Sequence, residues 1–220
     1  MNTGTSRNPW SRDEGDNWFR RNRAVIGRGY DPVTALLQAH AVAPHRVCEV
    51  GCSNGYRLAA LHRAHGCAVI GVEPSLAAIR DGRRRWPFIS FIRATADAFS
   101  LEHPVDLVIV HFVLHWVPRV LLLKTLERID AALMPGGFLV IGDFGLEGFA
   151  KRRYHHRPKD DLWTYKQYYP AVFTASGLYR EIGLLRYNHD THEPSADITT
   201  DSMGTVTLLR KQELYLELRG

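Results

Sequence analysis

Val47-Cys48-Glu49-Val50-Gly51-Cys52-Ser53-Asn54-Gly55-Tyr56 joins a short apolar run to a turn bearing two glycines, and a helix-forming stretch from Arg57 to His65 follows. A strand that feeds a tight turn and then a helix brings backbone N–H groups to the C-terminal edge of a sheet, where adenosine-containing ligands bind. Gly51 and Gly55 supply backbone freedom and, lacking Cβ, let a ligand lie against the main chain.

Three ligand classes compete for this turn. A dinucleotide fingerprint needs glycine at its first, third and sixth positions, which are Gly51, Ser53 and Tyr56 here. Tyr56 is too large for the close helix–strand contact of the sixth position. Gly51-Cys52-Ser53-Asn54-Gly55 also spells a nucleophile elbow, but such an elbow sits on a middle strand, and no strand pattern precedes Val47. The third reading takes Glu49 into the pattern E-x-G-x-S-x-G. This resembles the first motif of the class I S-adenosylmethionine-dependent methyltransferases, with Ser53 in place of the middle glycine.

Downstream of the turn, β and α patterns alternate. Strands are expected at Val47–Val50, Ala68–Glu73, Phe88–Arg93, Val105–His111 and Phe138–Asp143. The helices between them span Asn54–His65, Ser75–Arg85 and Pro118 to about Leu133, and Pro135-Gly136-Gly137 turns the chain into the fifth strand. Such alternation predicts a doubly wound parallel sheet with right-handed crossovers. Residues 145–170 are aromatic and basic with little periodicity, and a helix is expected from Tyr168 to Ser176. The strand-like stretches Leu178–Tyr187 and Met203–Arg210 lack an intervening helix pattern and read as an antiparallel pair.

Two helices precede the first strand. Ser11-Arg12-Asp13-Glu14 reads as a capping box opening a helix to about Ile26, and Asp31-Pro32 starts another, Val33 to about His40. They either pack at a sheet edge or form a lid that brings Trp18 and Arg20 or Arg23 to the ligand; helical amphipathicity fits both.

Glu73, at the end of the second strand, is placed to accept the ribose hydroxyls of an adenosine. Further motifs extend the resemblance over residues 45–145: Arg93-Ala94-Thr95-Ala96-Asp97, Asp106 to Phe112, and Leu133 to Val140. The resemblance implies an α/β fold of Rossmann-like type, a seven-stranded, mostly parallel sheet of order 3-2-1-4-5-7-6 with strand 7 antiparallel. It implies S-adenosylmethionine held by Glu49, Gly51, Ser53, Gly55 and Glu73. It also implies adenine recognition by Ala96 and Asp97, whose carboxylate can accept from the exocyclic amine. Trp18 joins this set if the N-terminal helices form a lid.

His111 and His115 bracket Phe112-Val113-Leu114 at the end of the fourth strand, and either is a candidate general base or a packed loop residue. Tyr165, Tyr168 and Tyr169 belong to an aromatic stretch after the fifth strand that either covers the reaction centre or glues an irregular segment to the core. Aromatic faces attract a sulfonium cation by about 0.5–2 kcal/mol. Lys151, Arg152, Arg153 and Lys159 fit an acidic acceptor, but equally a solvated surface.

With 220 residues, 45% of them hydrophobic, a single domain is expected: an N-terminal lid over 11–40, a cofactor core over 45–145, and an aromatic cover with the last two strands over 146–220. A formal charge of +5 requires no nucleic-acid partner, and no apolar stretch is long enough to span a membrane. Three cysteines without disulfide spacing suit the cytoplasm; Tyr154-His155-His156 lacks a third ligand, so no metal is expected. The leading expectation is methyl transfer to a small molecule. The alternative is cyclisation of S-adenosylmethionine itself to azetidine-2-carboxylate and methylthioadenosine, as in the azetidine-2-carboxylate synthases of the same fold. A binding module without turnover is a third class.

Overall fold

The computed structural model describes residues 10, 13–146, 148–191, 193–194 and 202–213. Strands β1 (Arg46–Val50), β2 (Ala68–Val72), β3 (Ser90–Ile92), β4 (Val105–His111) and β5 (Leu133–Phe144) pair in parallel, in the order β3-β2-β1-β4-β5. Helices α3 (Tyr56–His65), α4 (Leu76–Arg85) and α5 (Leu122–Ala132) supply crossovers. After α6 (Pro170–Ala175), β8 (Tyr179–Asn188) and β9 (Met203–Lys211) run antiparallel, and β9 inserts between β5 and β8. This is the expected seven-stranded order; only the strand numbers change, because a separate ribbon precedes the last two strands.

Alternation along the strands explains the two-sided core. Cys48, Val50, Val108, Val110, Leu139 and Ile141 pack into one buried cluster. Val47, Leu107, Ile109, Val140, Val206 and Leu208 pack into the other, beneath Leu58 and Leu61 of α3. Glu49 shares the face of Val47 and so points towards α3, which makes it a buried carboxylate in need of a partner.

Several expected boundaries move. Helix α1 spans Glu14–Asn22, and α2 spans Pro32–Ala39. Ser11 of the expected capping box lies outside the described residues. Glu14 does not reach back to a cap: it is buried, accepting from Tyr154 Oη at 2.8 Å and pairing with Arg21. α1 stops short of Ile26, where Val25 and Ile26 form a turn on the Asn22 carbonyl. α6 begins at Pro170 instead of Tyr168, because proline presets the first helical position.

The stretch expected to be irregular contains an antiparallel ribbon, β6 (Ala150–Arg153) with β7 (Trp163–Lys166). All four residues of β6 are exposed, so no apolar alternation marks it. Helices α1 and α2 also part company. α2 buries Val33, Leu36 and Leu37 in the core cluster of β9, whereas α1 lies across the N-terminus of α4, where Asp16 accepts from Ser75 Oγ at 2.6 Å and Ala77 N at 3.0 Å.

Candidate active site

β1 ends in a turn that brings its amides back to β2: Gly51 N donates to the Val72 carbonyl at 2.8 Å. Gly51 holds φ +74°, and a Cβ there would run into the Val113 side chain. Ser53 N donates to Glu73 Oε2 at 2.9 Å, and Ser75 N donates to Glu73 Oε1 at 2.8 Å. Glu73 thus ties the glycine turn to the end of β2. Burial pushes its pKa up to about 7, against the pull of the Ser75 and Ser53 amides, which favour the anion.

The sign of this shift has a consequence for stability. Between the ordinary value of 4.5 and about 7, the native chain holds a proton that the unfolded chain has released. Glu73 therefore adds most stability below the ordinary carboxylate range and loses it as the pH rises through its native value. Urea unfolding of the ligand-free protein is expected to show stability falling over that window, and Glu73→Gln is expected to flatten the fall. An unchanged pH dependence in the variant would place the titration elsewhere.

Above the turn lies a cavity of about 1340 Å³. Glu49, Gly51, Ser53, Glu73 and Ala96 line it on the sheet side, Trp18 lines it from α1, and His111 and His115 line it after β4. Asp97 is buried next to Ala96 but does not line the cavity, and Gly55 lies behind the turn, facing Ile89 and Phe91.

The three tyrosines are elsewhere. Tyr169 precedes α6 with its ring in the core and its hydroxyl donating to the Tyr165 carbonyl at 2.8 Å. Tyr168 donates to Glu181 at 2.7 Å, and the Tyr165 ring stacks under the Arg119 guanidinium at 4.2 Å. They are the glue of that segment, and none lines the cavity. The aromatic wall is built instead from Trp10, Trp18, Trp116, Phe112 and Phe144. Trp10 stacks on Trp116 at 4.2 Å, and Trp116 Nε1 donates to Thr164 of the ribbon at 3.2 Å. Trp116 stands in plain view one residue after His115; only its stacking partners are invisible in the sequence.

A charged network missed in the sequence lines the same cavity. Arg57 of α3 is fully enclosed: Nη1 pairs with Glu49 Oε1, Nε and Nη2 donate to Asp31 at 2.9 and 3.0 Å, and Nη2 also meets Tyr56 Oη at 2.9 Å. Burial opposes ionisation of Asp31, but Arg57 and Thr34 override it and hold the carboxyl well below its usual range. Burial pushes Glu49 up, with Arg57 pulling it back.

The two histidines differ in their surroundings. His111 Nδ1 lies 3.2 Å from Arg57 Nη2, which can only donate, so this nitrogen accepts and Nε2 carries the proton towards Tyr187 Oη at 3.2 Å. Gly142 on β5 leaves room for the ring, since a Cβ there would overlap it. His115 Nδ1 lies 3.0 Å from Asp143 Oδ1, and both side chains are buried. Asp143 also accepts from the His115 amide at 3.2 Å and from Phe144 N at 2.8 Å. Asp143 ends a strand read in the sequence, but nothing in its spacing paired it with His115.

Residues 19–182 match a family model described as a methyltransferase domain. The chain belongs to this family. Trans-aconitate 2-methyltransferase from Methylobacterium nodulans is 33% identical over 107 residues, which make up 48% of this chain and 41% of that protein. The match thus spans about two fifths of the curated relative's length. Burkholderia thailandensis 1,6-didemethyltoxoflavin-N1-methyltransferase, solved with 1,6-didemethyltoxoflavin and S-adenosylhomocysteine, superposes with TM-score 0.69 at 19% identity, covering 91% of this chain and 84% of that one. The N-methyltransferase NodS from Bradyrhizobium japonicum, solved with S-adenosylhomocysteine, gives TM-score 0.57 at 19% identity over 94% and 93% of the two chains. The fold is that of class I S-adenosylmethionine-dependent methyltransferases. No helix of the described residues is long and apolar enough to cross a membrane.

Proposed function

We propose that this methyltransferase-family chain binds S-adenosylmethionine in the cavity above the glycine turn and transfers its methyl group to a small molecule. One observation carries the reading. Glu49 Oε2 and Ser53 Oγ are buried polar atoms without a partner among the described residues, and both belong to residues lining a cavity whose floor is the Gly51 turn and Glu73. Buried acceptors and hydroxyls left unpaired beside a glycine cradle fit a polar ligand that brings its own donors. Glu73 would take the ribose hydroxyls, Ala96 the adenine, and Glu49, Gly51 and Ser53 the aminobutyrate end, while Asp97 and Gly55 stand back from the cavity.

The bound cofactor supplies an electrophilic methyl on a sulfonium. The protein's part is to position and to exclude water. Trp10, Trp18, Trp116, Phe112 and Phe144 give a wall that attracts a desolvated cation by about 0.5–2 kcal/mol. The cavity, about 1340 Å³, exceeds the roughly 300–1,000 Å³ of a single-ligand pocket and suits a cofactor with a small acceptor. Trans-aconitate and 1,6-didemethyltoxoflavin, in the names of the related proteins, are acceptors of that scale. A small acceptor, and neither nucleic acid nor membrane, is the partner we assign. The buried free cysteines Cys48, Cys52 and Cys67 support a cytoplasmic setting.

Calorimetric titration with S-adenosylhomocysteine tests the cofactor site: one molecule bound per chain is expected, and absence of binding refutes the reading. The N-terminal segment is assigned as a lid because Gly15, Trp18 and Asn22 of α1 line the cavity while Glu14 and Asp16 pin the helix to Tyr154 and Ser75. Deleting residues 1–30 is expected to leave a folded sheet, since α2 remains, and to remove most of the affinity for S-adenosylhomocysteine. Normal binding by the truncated chain would contradict the lid.

A further inference from the structure

We infer that the acceptor carries its nucleophile as an O–H or N–H group, and that His115, positioned by Asp143, takes that proton through Nε2 as the methyl group arrives. The inference rests on the methyltransferase reading and adds the chemical class of the acceptor.

The geometry singles out one histidine. Both ring nitrogens of His111 are engaged, Nδ1 by Arg57 and Nε2 by Tyr187. With both nitrogens taken up by neighbouring side chains, His111 has neither left to turn towards an acceptor. His115 has the opposite arrangement. Its Nδ1 faces Asp143, with the carboxylate oxygens 3.0 and 3.2 Å away, which fixes the tautomer with the proton on Nδ1. No hydrogen bond from Nε2 is made among the described residues, and His115 lines the cavity. Asp143 is anchored in turn by Phe144 N and grips the His115 amide, so the ring and its backbone are held by the same carboxylate.

The surroundings favour this use. The His115 ring is packed against Phe112, Trp116 and Phe144, all of them cavity residues. Charged or titratable groups reach it from few directions. Asp143 faces it from β5, and Tyr169 ahead of α6 and Tyr187 on β8 feel the Asp143 charge. Lys166 of β7 and His189 after β8 meet the Phe144 ring at 4.3 and 5.0 Å, and His189 lines the same cavity. Asp143 is therefore the only anion in contact with the ring among the described residues, and it holds the ring through Nδ1.

The step balances without a co-reactant. The acceptor's oxygen or nitrogen forms the new bond to the methyl carbon, the electrons of the broken S–C bond return to sulfur, and the acceptor's proton passes to His115 Nε2 and then to water. A carboxylate acceptor, ionised at neutral pH, would have no proton to give and would leave the pair idle. His115 would be the catalytic residue, and Asp143 a positioning residue that acts through it.

Two measurements on the full chain decide it. In the complex with S-adenosylhomocysteine, ¹⁵N-histidine NMR is expected to find His115 as the neutral Nδ1–H tautomer, titrating at Nε2, and Asp143→Asn is expected to shift the tautomer while S-adenosylhomocysteine affinity is retained. An Nε2–H tautomer, or a ring that does not titrate, overturns the inference whatever the acceptor proves to be. For turnover, S-adenosylmethionine labelled in the methyl group is incubated with a small-molecule metabolite extract, and the product is treated with mild alkali. Label that resists alkali, with a rate that falls about 10²–10⁴-fold in His115→Gln and loses its acidic limb, is the expected result. Label released as methanol identifies a methyl ester and overturns it; with no label transferred, the tautomer and titration seen by NMR decide alone. Failure of the wild-type chain to bind S-adenosylhomocysteine would instead strike the underlying cofactor reading.

Discussion

Arg57→Met is expected to destabilise the chain by about 3–5 kcal/mol, the cost of leaving buried charges without their partner. Arg57 is the hub of the network: Glu49 and Asp31 both pair with it, and His111 and Tyr56 lie within hydrogen-bond distance of it. Arg57 and Glu49 side chains are 2% and 3% exposed, so water cannot replace the guanidinium, whereas Asp31, at 22%, retains some solvent. For a chain of this size the loss corresponds to a fall in Tm of roughly 10 °C. Adding Glu49→Gln to Arg57→Met should recover part of it, because the neutral amide removes one stranded charge. The network also joins the segment before α2 to the floor of the cavity, so cofactor affinity should fall with stability. A Tm within about 1 °C of the wild type would show that the network contributes nothing measurable.

Glu73→Ala is expected to weaken S-adenosylhomocysteine binding by at least about 1.5–3 kcal/mol, or roughly 10–100-fold, the range for hydrogen bonds to a charged group. The carboxylate has two duties in the structure: its oxygens receive Ser53 N from the glycine turn and Ser75 N at the start of α4. Truncation frees both amides, so the turn loses its tie to β2 in the same stroke that the ribose loses its acceptor. Glu73→Gln should bind better than Glu73→Ala, since its amide oxygen still accepts one N–H. Calorimetry showing wild-type affinity for Glu73→Ala, with thermal unfolding unchanged, would remove Glu73 from the site.

Where side chains alternate or glycines punctuate, the sequence is legible. Val105–His111 is apolar and buried on both faces from Leu107 to Val110, and its limits and place beside β1 are those expected. Glu73 can be placed because a strand end followed by proline admits few positions. The ribbon β6–β7 is hidden because its first strand is exposed throughout and basic, leaving no period to read. The tyrosines mislead for a related reason. An aromatic cluster near a sheet edge reports burial but not direction, and the helix start at Pro170 turns Tyr169 inward. Arg57 is invisible because a basic residue on a helix is ordinarily solvated; only the parity that sends Glu49 towards α3 brings the two together. The pairing of His115 with Asp143 joins the 3-10 turn after β4 to the end of β5, 28 residues on, a contact that the fold makes and local sequence does not.

The central claim is that this chain transfers the methyl group of S-adenosylmethionine to an external small molecule. Mass spectrometry of the nucleoside products tests it most directly, with pure protein incubated with S-adenosylmethionine alone and with an added metabolite extract. Only background products without the extract, and S-adenosylhomocysteine formed in its presence, is the predicted result. Methylthioadenosine with azetidine-2-carboxylate above the spontaneous background, formed from S-adenosylmethionine alone, would contradict it.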